Sequence, residues 1–354
     1  MAFIRSIFGR VLLFGVLALL TPVRSEPQST QVAAKGWQQL PGSKETSCSD
    51  GSAYSFFVHP GDRRNLLIYF QGGGACWSGP TCDPRGTLYR PNLKEVDPAT
   101  EQGIFDFDNA ENPFRDYFVV FVPYCTGDVH LGNRTAKYLP DKPEIHHNGF
   151  NNAMSGLRWT FANVASPQSI FVAGGSAGAM ASPFYAGRIA DHYKDARVVQ
   201  LGDSAGGLGV STIPEMFHPW GTMEVIAPFA PYRGLDPKNA NLDTFYIREG
   251  LANRSITFAQ FNNSADSLQV FGLQVFGIKA PLSEMLEQSY ADIRSTMPRF
   301  HAFTAPGTLH VILNRREFYT VAVERQRLRD WVAELASGKA PADVPRSVRA
   351  TPKS

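Results

Sequence analysis

One stretch constrains the fold of this chain more than any other: Ser169-Ile-Phe-Val-Ala-Gly174-Gly175-Ser176-Ala177-Gly178-Ala-Met180. Five apolar or small residues of strand character run into G-x-S-x-G, and residues of helical spacing follow. A strand that turns sharply into a helix about a serine flanked by glycines lifts the hydroxyl clear of a sheet edge, and the small neighbours let the turn close without clashes. The same letters would also serve a glycine-rich turn whose serine merely caps a helix. The strand before and the helix after favour the nucleophile elbow.

The elbow implies a parallel sheet, and the rest of the chain has the material for one. Short, nearly all-apolar runs bounded by turn residues recur at 54–58, 66–70, 117–122, 169–173, 198–201, 256–261 and 302–304, as strands buried on both faces should. Helical spacing occupies 152–164, 179–193, 282–297 and 317–335. The alternation predicts an α/β fold: a mostly parallel sheet with helices on both faces. Two stretches, 89–113 and 213–251, are rich in Pro, Asn and aromatic residues and predict irregular insertions that wall a cleft. The domain reading is a leader over 1–25, a single catalytic domain over 26–338 and a flexible tail over 339–354.

The leader follows from the N-terminus. Arg5 and Arg10 precede the apolar run 11–20, which stops at Thr21-Pro22. Such a run is too short for a bilayer and suits a secretory signal peptide cleaved after Ser25. Removing Arg5, Arg10 and Arg24 takes the formal net charge from +2 to −1, so the slight basicity belongs to the leader and nucleic acid is not an expected partner. The mature chain has no stable membrane span. Its expected location is extracellular or periplasmic, where Cys48, Cys76, Cys82 and Cys125 favour two disulfides over thiols. Four cysteines pair in three ways. A Cys76–Cys82 bridge would rigidify the loop 77–81 and leave Cys48 for Cys125. No spacing resembles a zinc site, no metal or other cofactor is expected, and the adjacent His146 and His147 are read as bordering the cleft or the surface.

A serine nucleophile needs a base and an acid, in this fold on loops after later strands. Of the downstream histidines, His192 lies on the polar side of the elbow helix, His218 in the second insertion and His301 within a strand. His310 follows the last strand in a loop, where the base belongs. Asp266, in the loop after the strand 256–261, is the expected acid; its rival Asp203 is read as a brace for the turn after the preceding strand. Oxyanion donors are expected from the N–H of Ala177 and from the Gly-rich turn that opens with Gln71-Gly-Gly-Gly after the strand 66–70. Asn133, Asn253 and Asn262 head glycosylation sequons, the last expected to be unused.

The segments 69–77, 122–132, 174–178, 201–206, 264–269 and 308–310, taken together and in this order, resemble the pectin acetylesterase family, which also includes the animal carboxylesterase Notum. The resemblance implies an α/β-hydrolase fold, secretion, no cofactor, and hydrolysis of carboxylic esters by Ser176, His310 and Asp266 with Gly73, Gly74 and Ala177 as oxyanion donors. It also implies the Cys76–Cys82 pairing. Gln71, acidic in relatives, and Ala75, Trp in plant-like members, depart from the pattern. Aromatic residues mixed with polar ones in the insertions suit sugar rings, so the expected substrate is an acylated polysaccharide such as pectin, its acyl group acetyl. The alternatives are a lipid-deacylating Notum-like esterase and a non-catalytic glycan- or protein-binding member of the fold. N-terminal sequencing of the exported protein should read from Glu26; a chain that retains residues 1–25 would refute the leader.

Overall fold

The computed structural model describes residues 31–32, 36–83, 86, 88–208, 214–297 and 299–345. The expected leader and the end of the expected tail lie outside them. Nine strands form the central sheet: β1 (Gln31–Val32), β2 (Gln38–Pro41), β3 (Ser55–His59), β4 (Asp62–Phe70), β5 (Tyr117–Val122), β8 (Ser169–Gly175), β9 (Arg197–Asp203), β10 (Thr257–Asn263) and β11 (Phe300–Ala305). The hairpin β6 (Arg134–Ala136) and β7 (Ile145–His147) stands apart from it. The order is β1-β2-β3-β5-β4-β8-β9-β10-β11. From β5 onward all neighbours are parallel, and β1, β2 and β3 add an antiparallel edge. This is the mostly parallel sheet that the alternation of runs predicts, and it is consistent with the α/β-hydrolase-like fold that the family resemblance implies.

Alternating side chains of each strand feed two cores. On one face Leu66, Ile68, Phe70, Val120, Val122, Ile170 and Val172 meet the helices α1 (Gly149–Asn163), α2 (Ala177–His192), α5 (Leu242–Ala252) and α7 (Leu282–Thr296). On the other, Leu67, Tyr69, Val119, Phe121, Phe171 and Ala173 meet Trp331, Val332 and Leu335 of α8 (Leu328–Ala336), along with Ile104, Phe105 and Phe114 from the first irregular stretch. Both faces are covered, unequally, which is why the strands read as continuous apolar runs. Among the described residues no helix is long and apolar enough to cross a membrane.

Helix α2 carries Pro183 in its interior, which leaves the Ala179 carbonyl without its i+4 donor. Ser182 Oγ donates to that carbonyl at 3.1 Å and accepts from Gln200 Nε2 of β9 at 2.8 Å, so the break is filled and tied to the sheet. Arg188 of α2 and Glu249 of α5 form a buried ion pair at 3.0 Å that clamps the two helices.

Three expectations need correction. The stretch 317–335 is not one helix: a 3-10 turn (Arg316–Tyr319) gives way to a hairpin, β12 (Ala322–Val323) and β13 (Gln326–Arg327), before α8 begins. The β-branched Thr320, Val321 and Val323 disfavour helix, and Glu324 takes a positive φ of 55° in the turn. The second insertion, from residue 214, is more regular than expected. It holds α3 (Pro214–Trp220), α4 (Thr222–Ile226) and the start of α5, whose N-terminus closes a reciprocal cap between Asn241 and Thr244. Its Phe217, Trp220, Tyr232 and Phe245 are buried, so aromatics read as available to sugars serve packing. Part of the expected tail is docked as well: Val344 N–H donates to Ala302 O at 2.9 Å and Thr304 N–H to Val344 O at 2.7 Å.

Both disulfides are present, Cys48–Cys125 and Cys76–Cys82, with sequence separations of 77 and 6 residues. Closing the longer loop constrains the unfolded chain more, by about 4 kcal/mol against about 2 for the shorter. The double variant Cys48→Ala/Cys125→Ala should therefore lower the urea midpoint more than Cys76→Ala/Cys82→Ala; the reverse order would refute this assignment of their roles.

Candidate active site

The C-terminal ends of β4, β8, β9, β10 and β11 deliver the candidate residues to one edge of the sheet. Ser176 follows β8 directly and holds φ 52° and ψ −120°, a conformation that costs an L residue energy and that the surroundings must enforce. Its N–H donates to the Asp203 carbonyl at the end of β9, 2.8 Å away. The elbow glycines leave no room for substituents. A Cβ at Gly174 would meet the Gly178 backbone, one at Gly178 would strike the Phe70 carbonyl, and one at Gly175 would lie 2.7 Å from Tyr69 Oη and 2.8 Å from Val311 Cγ1. The nucleophile candidate is thus held between the ends of β4 and β9 and the residue after His310.

Asp266 and His310 are paired. Asp266 is fully buried and caps α6 (Ser267–Val275), its Oδ1 accepting from Leu268 N–H at 2.9 Å and Gln269 N–H at 3.1 Å. His310 Nδ1 donates to its Oδ2 at 2.8 Å. A carboxylate oxygen can only accept there, so Nδ1 carries the proton and Nε2 is the basic nitrogen. The two loops are zipped together: Asn263 Nδ2 donates to Leu309 O at 2.8 Å, and Ser267 N–H to Thr308 O at 3.1 Å. The other downstream histidines lie elsewhere. His192 is exposed and stacks on Phe161 at 4.0 Å, His218 is exposed, and His301 sits in β11.

The glycine turn after β4 lies against the elbow. A Cβ at Gly72 would fall 2.5 Å from Gly175 O and 2.8 Å from Ser176 Cβ. Gly73 O accepts from Arg90 N–H at 2.9 Å, and Gly74 takes φ 78°, where any side chain would strike the Leu88 carbonyl. Ala177 is the first residue of α2, so its N–H has no partner within the helix.

Sequence reasoning gave no role to the residues that hold this turn. His130 Nε2 donates to Gln71 O at 2.8 Å, its own carbonyl accepts from Tyr185 Oη at 2.5 Å, and its ring meets Phe70 edge-on. Burial pushes the His130 imidazole down to about 4, so it is neutral at physiological pH and Nε2 is a donor. Asp128 anchors the loop that carries His130 from within: its carboxylate accepts from Thr126 Oγ1 at 2.6 Å and Gly149 N–H at 2.7 Å, and burial raises it to about 6. The signal was on view as a polar Thr-Gly-Asp-Val-His run inside an apolar neighbourhood. What the run grips is 59 residues away and has no local trace.

Cys76, Cys82 and His147 bring ligand-type atoms within 4.8 Å of one another. Both sulfurs are joined in the disulfide, and His147 is engaged by Tyr138 Oη at 2.7 Å and Thr126 O at 2.9 Å. His147 is buried, against its expected place at the cleft or surface, while His146 is half-buried. Asn262 of the third sequon is also buried, donating to Tyr290 Oη at 2.8 Å.

A model of the pectinacetylesterase family matches residues 31–214, more than half of the chain. The chain belongs to the pectinacetylesterase family. The matched residues include the elbow, the glycine turn and all four cysteines, whereas Asp266 and His310 lie beyond them. Over 126 residues the chain is 27% identical to the palmitoleoyl-protein carboxylesterase NOTUM of Schmidtea mediterranea, covering 32% of this chain and 24% of that protein. It is 32% identical over 101 residues to the inactive palmitoleoyl-protein carboxylesterase notum1b of Danio rerio, covering 27% of this chain and 72% of that protein. The notum2 carboxylesterase of Xenopus laevis is 32% identical over 93 residues, 19% of its length. The chain thus spans about a quarter or less of two of these relatives.

The Gly72→Ala variant tests the contact between turn and elbow. Its methyl can be placed only by moving the turn or Ser176, so it should lower esterase activity by about 10²-fold and cost about 1–3 kcal/mol of stability. Wild-type rates from Gly72→Ala would show that the turn takes no part in the site.

Proposed function

We propose that this protein is an exported serine carboxylesterase that removes acetyl groups from a cell-wall polysaccharide such as pectin. The observation that carries the reading is the pairing of His310 with the buried Asp266, beside the strained Ser176 of G-x-S-x-G. Ser176 Oγ attacks the ester carbonyl carbon while His310 Nε2 takes its proton. Asp266 holds the imidazole in the Nδ1–H tautomer and stabilises the imidazolium. The N–H groups of Gly73, Gly74 and Ala177 receive the oxyanion, each supplying about 3 kcal/mol to the transition state. Collapse breaks the C–O bond, His310 protonates the departing sugar hydroxyl, and water then releases acetate from Ser176 by the same route in reverse. Family membership supports the ester-hydrolase class, and the disulfides support an oxidising location. No resident metal or cofactor is invoked.

One observation favours a second reading, a longer acyl chain. Large apolar side chains are exposed close to the acid, the base and the glycine turn: Leu268, Phe271 and Val275 along α6 after Asp266, Leu309 before His310, and Leu88, whose carbonyl lies against Gly74. Exposed apolar residues gathered in this way mark binding surfaces. The half-buried Trp77 also stacks on Phe276 at 6.0 Å, which joins the disulfide loop to the end of α6.

Ser176→Ala should fold with an unchanged melting temperature and lose turnover, and a fluorophosphonate should label the wild-type protein at Ser176. Turnover by Ser176→Ala would refute the mechanism, and a wild-type protein inert to the probe would place it with the non-catalytic members of the fold. On p-nitrophenyl esters of rising chain length, kcat/KM should be highest for acetate. A maximum at eight carbons or more would replace the acetyl reading with the lipid one.

A further inference from the structure

Asp203, which ends β9, and Ser204, which follows it, grip the base loop and the nucleophile elbow at once. Asp203 is fully buried, and Ser204 is 1% exposed. Asp203 Oδ2 accepts from Ile312 N–H and Leu313 N–H, both at 2.8 Å. Ser204 Oγ accepts from Val311 N–H at 2.9 Å and donates to Asp203 Oδ1 at the same distance. Three successive N–H groups directly after His310 therefore converge on one hydroxyl and one carboxylate oxygen. The main chain of Asp203 meanwhile accepts from Ser176 N–H at 2.8 Å.

This arrangement has a local reason. Val311 takes φ 57° and Ser204 φ 63°. A β-branched residue resists that region, so Val311 stays there only if its neighbours enforce it. Turning the chain through Val311 points three N–H groups the same way, a concave donor set that binds an anion. Here the anion is a side chain of the protein. His310 is fixed from one side by Asp266 on Nδ1 and from the other by the backbone grip on the residues that follow it.

We infer that Asp203 and Ser204 are positioning residues of the esterase, acting through the His310 loop to keep the imidazole in register with Ser176. The inference rests on the serine-esterase reading. It separates two roles within one residue: the Asp203 carbonyl, which substitution leaves in place, serves the elbow, and the side chain serves the base. Asp203 is thus not a spare acid for the imidazole. Its hydrogen bonds to Ile312 and Leu313 hold the loop that carries the base.

The test uses the full-length protein with p-nitrophenyl acetate. Asp203→Ala should lower kcat about 10²-fold, the effect expected of a displacement of the base by about 1 Å, with KM within about threefold of wild type. Ser204→Ala removes the acceptor for Val311 and the donor to Asp203 Oδ1 and should lower kcat about tenfold. Asp203→Asn keeps an oxygen for Ile312 and Leu313 and should recover most of the rate lost in Asp203→Ala. On a His310→Ala background the Asp203→Ala change should produce no further loss, because its route to the chemistry is already gone. A further loss there would overturn the inference in favour of a general structural role, as would wild-type kcat in both Ser204→Ala and Asp203→Asn joined to a reduced melting temperature. Should Asp203→Ala not fold, Ser204→Ala and its cycle with His310→Ala decide the question alone. Full activity in Asp203→Ala and Ser204→Ala with an inert Ser176→Ala defeats this inference and leaves the esterase standing; an active Ser176→Ala defeats the esterase itself.

Discussion

The strained backbone at Ser176 is the constraint to which the rest of the structure answers. An L residue at φ 52° and ψ −120° sits outside the favourable regions of backbone space and stays there only while its surroundings fix it. Those surroundings are the N–H bond to Asp203 on one side, the glycine turn after β4 on the other, and contacts from Gly174 and Gly178 so close that no methyl fits. The Asp203 carbonyl and the glycine turn sit at the ends of parallel strands, and parallel neighbours bring their ends to the same edge. The sheet supplies the alignment, and the elbow uses it.

Around that point the molecule repeats one device, a buried polar side chain that holds a loop by its backbone. His130 takes the Gln71 carbonyl ahead of the glycine turn, Asp203 takes the amides after His310, and Asp266 takes the amides that open α6 while also receiving the imidazole. Burying such groups is costly without partners and rigidifying with them. Burial raises Asp128 and Asp203 alike to about 6, the mark of carboxylates kept for their hydrogen bonds at an electrostatic cost. Rotamer freedom at the site is removed by hydrogen bonds chiefly to main chain, which are insensitive to side-chain substitution elsewhere.

How legible this was varied with the range of the interaction. The run 117–122 matches β5 residue for residue because polar or proline residues bound it on both sides and both its faces are buried. The elbow was legible because its requirement for small residues is local. Helix α1 begins at Gly149, three residues before its apolar spacing does, since its first turn is Gly-Phe-Asn-Asn and carries little periodic signal. The stretch 317–335 misled because an amphipathic pattern says nothing of a reversal at Glu324, which takes a positive φ with no glycine to announce it. The grip of Asp203 on residues 312 and 313 crosses more than a hundred positions, and no pattern along the chain encodes it.

Both covalent cross-links lie on the side of the molecule that carries the glycine turn. Cys76 follows that turn directly, Cys125 follows Tyr124, whose ring faces Gly73, and the nearest cysteine to Asp266 in sequence is 141 residues away. The acid and the base are held without a covalent cross-link. The two halves of the site therefore answer to different chemistries of the environment, one to redox poise and the other to solvent and temperature. A chain made in a reducing cytosol would assemble its carboxylate–imidazole half without the staples that frame the opposite wall, and so the choice of expression compartment sets whether the purified material is one species or a mixture.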